Sequence, residues 1–321
     1  MSSAKTHHGW RNAIIICVVI LLIIITPLSL YASTDIETKD LDDAARTQAG
    51  GSYVKLPQGM THYELTGPEN GQVVVLVHGA TIPMYLWDAQ VEALAKAGYR
   101  VLRYDLYGRG YSDRPDGDYS QAFYRKQLVD LLDALKINQP VDLVGVSMSG
   151  ALAVDFTANY PDRVKDLVLI APMINSIKND TNFKLMRIPV LGEFLTRLIA
   201  VKFMSDRAAQ LMQKSPKAVE YAKQFKDQTQ FKGFEKASLA AARSDAWADY
   251  TADYEKVGKQ DHQILLIWGT ADGDITPEMV QTMQKMLPNV QFKQLDGIGH
   301  DPQVEVPDQV NSLILDFLKQ Q

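Results

Sequence analysis

Val141-Asp-Leu-Val-Gly-Val-Ser147-Met-Ser-Gly150 is an apolar run that stops at a serine flanked by small residues and passes directly into helical text, Ala151 to Tyr160. The pattern is that of a buried strand, a sharp turn and a helix, with one hydroxyl at the tip. A serine is a poor nucleophile unless it is exposed, beside a base and close to amide donors. A strand-to-helix elbow supplies the first and last of these. Such a turn crowds the residues two before and two after the serine, so Gly145 and Ser149 have to be small. The stretch reads GxSxS followed by Gly150, one residue away from GxSxG.

Further apolar runs rich in Val, Ile and Leu lie on either side of it: Val73 to Val77, Arg100 to Tyr104, Leu167 to Ile170, Ile264 to Trp268 and Val290 to Leu295. Continuous apolar strands that alternate with helical patterns imply an α/β fold, a mostly parallel, doubly wound sheet covered on both faces. Tyr53 to Leu56 and Thr61 to Leu65, joined by Pro57-Gln58-Gly59, read as an antiparallel opening hairpin. No 20 to 50 residue repeat is visible, which excludes a solenoid or propeller.

From Met173 to about Lys259 the alternation breaks, and only helical text remains, in Asp206 to Lys214, Ala218 to Phe225 and Ala237 to Asp249. A structureless loop of that length does not belong in a compact domain. The stretch carries its own apolar residues, Phe194, Leu198, Phe203, Met212, Phe231, Phe234 and Trp247, and is expected to form a helical cap over the sheet.

A base and an acid should accompany Ser147. Of six histidines, His7 and His8 precede a long apolar run, His62 sits in the hairpin and His262 opens a strand. His300, in Gly297-Ile-Gly-His300-Asp-Pro302, follows the last strand and precedes a terminal helix, Pro307 to Leu318. That places it where catalytic groups of parallel sheets gather, at the carboxyl ends of strands. An acid between serine and histidine in chain order is expected. Asp272 and Asp274, both just beyond the Ile264 strand, compete for that role, and spacing does not separate them. Oxyanion donors are expected from the backbone amides of Ala80, in His78-Gly79-Ala80, and of Met148. No second His or Cys stands at ligand spacing from His78, so no metal is expected. Gly108-Arg-Gly110 lacks the third glycine of a dinucleotide fingerprint, with Asp113 in its place, and no cofactor is expected.

Together His78-Gly79, Asp105-Leu-Tyr-Gly108-Arg-Gly110-Tyr-Ser112, Gly145-Val-Ser147-Met-Ser-Gly150, Trp268-Gly-Thr-Ala-Asp272 and Gly299-His300-Asp-Pro302 resemble, in order, the landmark segments of the α/β-hydrolase family. The resemblance covers Ser52 to the C-terminus. It implies Ser147 as nucleophile, His300 as base, Asp272 as acid, Ala80 and Met148 as oxyanion donors, and a substrate-covering cap. Asp105, Gly108 and Gly110 are expected to shape a loop. Serine at the elbow argues against relatives with aspartate there, haloalkane dehalogenases and epoxide hydrolases. Met148, where proline iminopeptidases carry Trp, argues against peptide substrates. The expected function is carboxylic ester hydrolysis, by an esterase or lipase of which a monoacylglycerol type is one form, on a small ester or lipid. Carbon–carbon hydrolysis of ring-cleavage products is the alternative, and a non-catalytic binding module of the same fold is the reading from another class.

The chain as a whole has 321 residues, is 46% hydrophobic, and carries 33 Lys and Arg against 38 Asp and Glu, a net charge of −5. A main disordered state is excluded. Nucleic acid is not an expected partner, because no basic cluster is present to neutralise phosphates. The single cysteine, Cys17, excludes internal disulfides and thiolate metal clusters. Asn12 to Thr34 is a 23-residue run without a charge. It exceeds the roughly 7 to 15 residue core of a cleaved signal and is long enough, at about 1.5 Å per residue, to cross a membrane. The expected organisation is a single-pass membrane anchor over 1–34, a polar stalk over 35–51 ending in Gly50-Gly51, and a catalytic domain over 52–321 with its cap at about 173–259. Weak flanking charge asymmetry puts the catalytic domain outside the cytoplasm.

Overall fold

The computed structural model describes residues 10, 14–18, 26, 29–176 and 180–320. The anchor expected over 1–34 falls for the most part outside them. Among the described residues no helix is long and apolar enough to cross a membrane.

Eight strands form one sheet: β1 (Ser52–Leu56), β2 (Gly59–Thr66), β3 (Val73–Val77), β4 (Arg100–Tyr104), β5 (Val141–Val146), β6 (Val164–Ile170), β7 (Gln263–Gly269) and β8 (Gln291–Leu295). Their order is β1-β2-β4-β3-β5-β6-β7-β8. β1 and β2 form the antiparallel hairpin and β2 joins β4 antiparallel, while every pair from β4 to β8 is parallel. After β3 the chain crosses to β4 on one side and later returns to β5 on the other. The carboxyl ends of β3 and β5 therefore flank the switch point where such sheets bind ligands.

The apolar strands are buried on both faces. Val73, Val75 and Val77 of β3 point into one core while Val74 and Leu76 point into the other. β5 divides likewise, with Val141 and Leu143 on one side and Val144 and Val146 on the other. Each such side chain contributes on the order of 1.5–3 kcal/mol on burial, so a polar residue on either face of these strands is not tolerated cheaply. The first core is closed by Leu128, Leu131 and Leu132 of α3 (Gln121–Ala134) and by α4 (Met148–Asn159). The second is closed by Val91 and Leu94 of α2 (Asp88–Lys96) and by the terminal helix (Pro307–Leu318), through Val310, Ile314 and Phe317.

The segment expected as a stalk contains α1 (Asp43–Ala49), capped by the Asp42 carboxylate, with none of its residues buried. It lies along the body. Arg46 Nη2 donates to Asp113 Oδ1 at 2.6 Å, and the Glu37 carboxylate accepts from the Gly233 and Glu235 amides. Between β6 and β7 the described residues form helices and no strand of the sheet: α5 (Thr181–Met186), α6 (Leu191–Leu195), α7 (Val201–Met212), α8 (Ala218–Gln228), α9 (Phe234–Arg243) and α10 (Thr251–Val257). Met212, Phe231 and Phe234 of this insertion are buried, whereas Phe203 is 67% exposed. Two ion pairs tie α7 and its end to the sheet domain, Arg207 with Asp274 and Lys214 with Glu305.

Candidate active site

Ser147 stands between β5 and α4 with φ 54° and ψ −123°, a conformation that costs a non-glycine residue about 1–3 kcal/mol. The surroundings over-determine it. Its amide donates to Ile170 O at 3.0 Å, and its carbonyl accepts from Met173 N and Gly150 N, each at 3.0 Å. Gly145 is required because a Cβ there would collide with the backbone of Ser149.

Ser149 fits at this position because its side chain has a place of its own. The hydroxyl donates to Val77 O at 2.6 Å and accepts from Val146 N at 3.1 Å, fastening the elbow to the end of β3. The crowding that the motif relieves falls on the backbone at 149, and a small hydroxyl fits beside it. The Ser147 hydroxyl is half-buried and has no hydrogen bond among the described residues.

His300 and Asp272 meet across the ends of β7 and β8. The Nδ1 of His300 lies 2.9 Å from Asp272 Oδ2 and 3.0 Å from Oδ1. The Asp272 loop is built for this. Trp268 Nε1 donates to Ile275 O at 2.9 Å, and the amides of Asp274 and Ile275 donate to Asp272 Oδ1 at 2.8 and 3.0 Å. Burial alone would raise the Asp272 carboxyl, but the His300 contact and these two amides outweigh it and hold it below its usual range. Burial disfavours the imidazolium of His300. The Asp272 hydrogen bond and the charges of Asp301, Asp272 and Asp274 overcome that and raise its pKa above the ordinary histidine value.

Asp274 takes a different position from Asp272. Its side chain is 51% exposed, it is 3.7 Å from His300 Nε2 on the other edge of the ring, and it pairs with Arg207. Among the described residues, Asp272, Asp274 and His300 alone bring three metal-ligand-type atoms within 4.8 Å. Each is already partnered, Asp272 and His300 by one another and Asp274 by a cation.

The amides of Ala80 and Met148 carry no hydrogen bond among the described residues, and Met148 is the first residue of α4. That helix start adds a partial positive charge to the same place. His78 orients the Ala80 amide. Leu106 N donates to His78 Nε2 at 2.9 Å, which leaves Nδ1 as the proton-bearing nitrogen, 2.7 Å from Gly79 O. Burial pushes His78 down to about 4, so it stays neutral. The Gly79 carbonyl and the Ala80 N–H belong to one trans peptide. Fixing the oxygen aims the N–H the opposite way.

Asp105, expected to shape a loop, does so with His62, a partner that sequence reasoning missed because it is remote in sequence. His62 Nδ1 donates to Asp105 Oδ2 at 2.7 Å, and both are buried. Asp105 also accepts from the amides of Met84 and Tyr111, each at 2.9 Å. Burial would raise this carboxyl, and the His62 bond outweighs it. Asp105 thereby joins the loops after β3 and β4, and a Cβ on Gly110 would collide with it.

The chain matches the alpha/beta hydrolase fold family over residues 72–307. It is 30% identical over 297 residues to a 2-hydroxy-6-oxononadienedioate/2-hydroxy-6-oxononatrienedioate hydrolase of Paraburkholderia phymatum, covering 87% of this chain and 99% of that one. Uncharacterised mycobacterial relatives are 33% identical over 131 residues, and there the chain spans 37% of their length. Among solved structures, a thermophilic esterase from Thermogutta terrifontis superposes with TM-score 0.71 at 24% identity, over 84% of this chain and 99% of that one. A membrane phospholipase A superposes with TM-score 0.67 at 19% identity, over 98% of each chain. With its eight-stranded sheet, and with the family matched from before β3 to the start of the terminal helix, the chain belongs to the α/β-hydrolase fold family.

Proposed function

We propose that the chain is a serine hydrolase that cleaves carboxylic esters through an acyl-enzyme. The observation that carries this reading is the pairing of His300 Nδ1 with Asp272 at 2.9 Å, in a chain whose Ser147 elbow is strained. With Nδ1–H directed at Asp272, Nε2 is left as the proton acceptor. It takes the Ser147 proton as Oγ attacks the ester carbonyl, and the carbonyl oxygen becomes an oxyanion facing the Ala80 and Met148 amides. Collapse of the tetrahedral species expels the alcohol, which receives its proton from the imidazolium. Water then attacks the acyl-enzyme by the same route in reverse. The Ser147 hydroxyl has no bond to His300 in the free protein, a geometry that tightens when substrate binds.

The insertion between β6 and β7 is the cap in this account. Its sequence is rich in Phe, Leu and Met, which favours an apolar acyl group over a peptide, while Phe234, Phe231 and Met212 themselves are buried in its packing. The uncharged run Asn12 to Thr34 supports a single-pass anchor in a membrane, where lipid esters concentrate, and the flanking charge asymmetry supports a catalytic domain outside the cytoplasm. Full-length protein that leaves the membrane pellet in alkaline carbonate would contradict the anchor.

A second reading, carbon–carbon hydrolysis of a ring-cleavage product, is favoured by the Paraburkholderia relative. The test is a panel of p-nitrophenyl esters from acetyl to palmitoyl and a monoacylglycerol, run beside a coloured 2-hydroxy-6-oxo-dienoate. Turnover of the esters with a stable dienoate colour supports the ester reading. Bleaching of the dienoate without ester turnover overturns it in favour of the second.

A further inference from the structure

Arg109, in Gly108-Arg109-Gly110 after β4, is 6% exposed and has no carboxylate partner among the described residues. Burial of a cation without a counter-ion is unfavourable, and here it lowers the guanidinium pKa. A residue that only filled space would be better neutral, so the contacts of this one indicate its use. Its Nε donates to Ala80 O at 2.7 Å. Its Nη1 donates to Gly108 O at 2.9 Å and to Ser238 Oγ at 3.2 Å, and its guanidinium carbon lies 5.3 Å from the centre of the Phe234 ring. Phe234 and Ser238 are four residues apart on α9, hence on one face of that helix.

We infer that Arg109 is a positioning residue that registers the Ala80 peptide against the helical insertion and so couples the cap to the oxyanion site. The inference rests on the reading of the Ala80 amide as an oxyanion donor. The geometry behind it is a clamp on two consecutive carbonyls. His78 holds Gly79 O and Arg109 holds Ala80 O, at 2.7 Å each, so the peptides before and after the Ala80 α-carbon are both fixed. The His78 anchor stands at the end of β3 in the sheet domain. The Arg109 anchor is shared with α9, so a displacement of α9 is transmitted to the Ala80 carbonyl through one planar, rigid side chain. Lysine, a single-point donor, cannot bridge Ala80 O, Gly108 O and Ser238 Oγ together.

The experiment compares Arg109→Lys, Arg109→Ala and Ser238→Ala with wild type in kcat, KM and affinity for phenylboronic acid. The tetrahedral boronate on Ser147 places a charged oxygen where the oxyanion forms. Expected for Arg109→Lys is a loss of about 10- to 100-fold in kcat with KM within about twofold, the signature of an interaction made in the transition state. Boronate affinity should fall in parallel, and added guanidinium ion should restore part of the kcat of Arg109→Ala. Ser238→Ala, which keeps the cation, should show the same pattern at about two- to fivefold. A folded Arg109→Lys with wild-type kcat and boronate affinity overturns the inference, as does a loss confined to KM. If Arg109→Ala does not fold, Arg109→Lys and Ser238→Ala decide the matter. Replacing Ala80 by its α-hydroxy analogue, which removes only the N–H, separates the two claims. Unchanged boronate affinity there refutes the oxyanion reading itself, whereas a loss there with none in the Arg109 and Ser238 variants refutes Arg109 alone.

Discussion

Asp274 Oδ2 lies 3.7 Å from His300 Nε2, at the ring nitrogen opposite the one that Asp272 holds. The two carboxylates therefore act on the imidazole from different sides. Asp274 contributes to the raised His300 pKa by charge, behind Asp272 and Asp301. Because the base must be neutral, kcat/KM should rise along a limb centred above the ordinary histidine value of about 6.5. Asp274→Asn removes an anion and leaves Arg207 uncompensated, and both changes disfavour the imidazolium. The limb should move to lower pH, as read from kcat/KM between pH 5 and 9. A limb that stays in place or moves upward contradicts this account.

Asp272, at Nδ1, is proposed to hold the Nδ1–H tautomer. Asp272→Asn should lower kcat by about 10⁴-fold, as loss of the tautomer does in a serine triad. Asp274→Asn at its own optimum should stay within about tenfold of wild type, because it alters a charge and not the tautomer. Equal losses from the two substitutions would contradict the assignment of the acid.

Ser149 is expected to matter more for stability than for chemistry. Ser149→Ala leaves the Val77 carbonyl and the Val146 amide without their buried partner. Leaving such groups unpaired costs about 1–3 kcal/mol. Urea unfolding should show a lower midpoint with an unchanged slope. A midpoint equal to wild type would mean that the Val77 contact contributes nothing.

The sheet was legible because its strands are buried on both faces and so read as uninterrupted Val, Ile and Leu. β3, β4 and β5 begin and end where the apolar runs do. β6 starts at Val164, three residues before the Leu167 run, because the exposed Lys165 and the buried carboxylate Asp166 interrupt the apolar text at its entry. In the insertion, α9 spans Phe234–Arg243 where Ala237 to Asp249 is expected, since Gly233 and the chain reversal at Ser244 set its ends. Asp272 and Asp274 differ in which ring nitrogen of His300 each faces, a matter of three dimensions that spacing in the sequence does not carry. The clamp of His78 and Arg109 on the Ala80 loop was not legible either, because its bonds run from side chains to carbonyls, and carbonyls leave no mark in a sequence.

The central claim is that Ser147 is the nucleophile, activated by His300. The most direct measurement is the labelling of the purified full-length protein with a fluorophosphonate, followed by peptide mass analysis. The account predicts one phosphonylated residue, Ser147, with labelling abolished in Ser147→Ala and slowed by about 10³-fold or more in His300→Ala, in line with the loss of a triad member. Labelling that persists in Ser147→Ala, or ester turnover that survives that substitution, would contradict it.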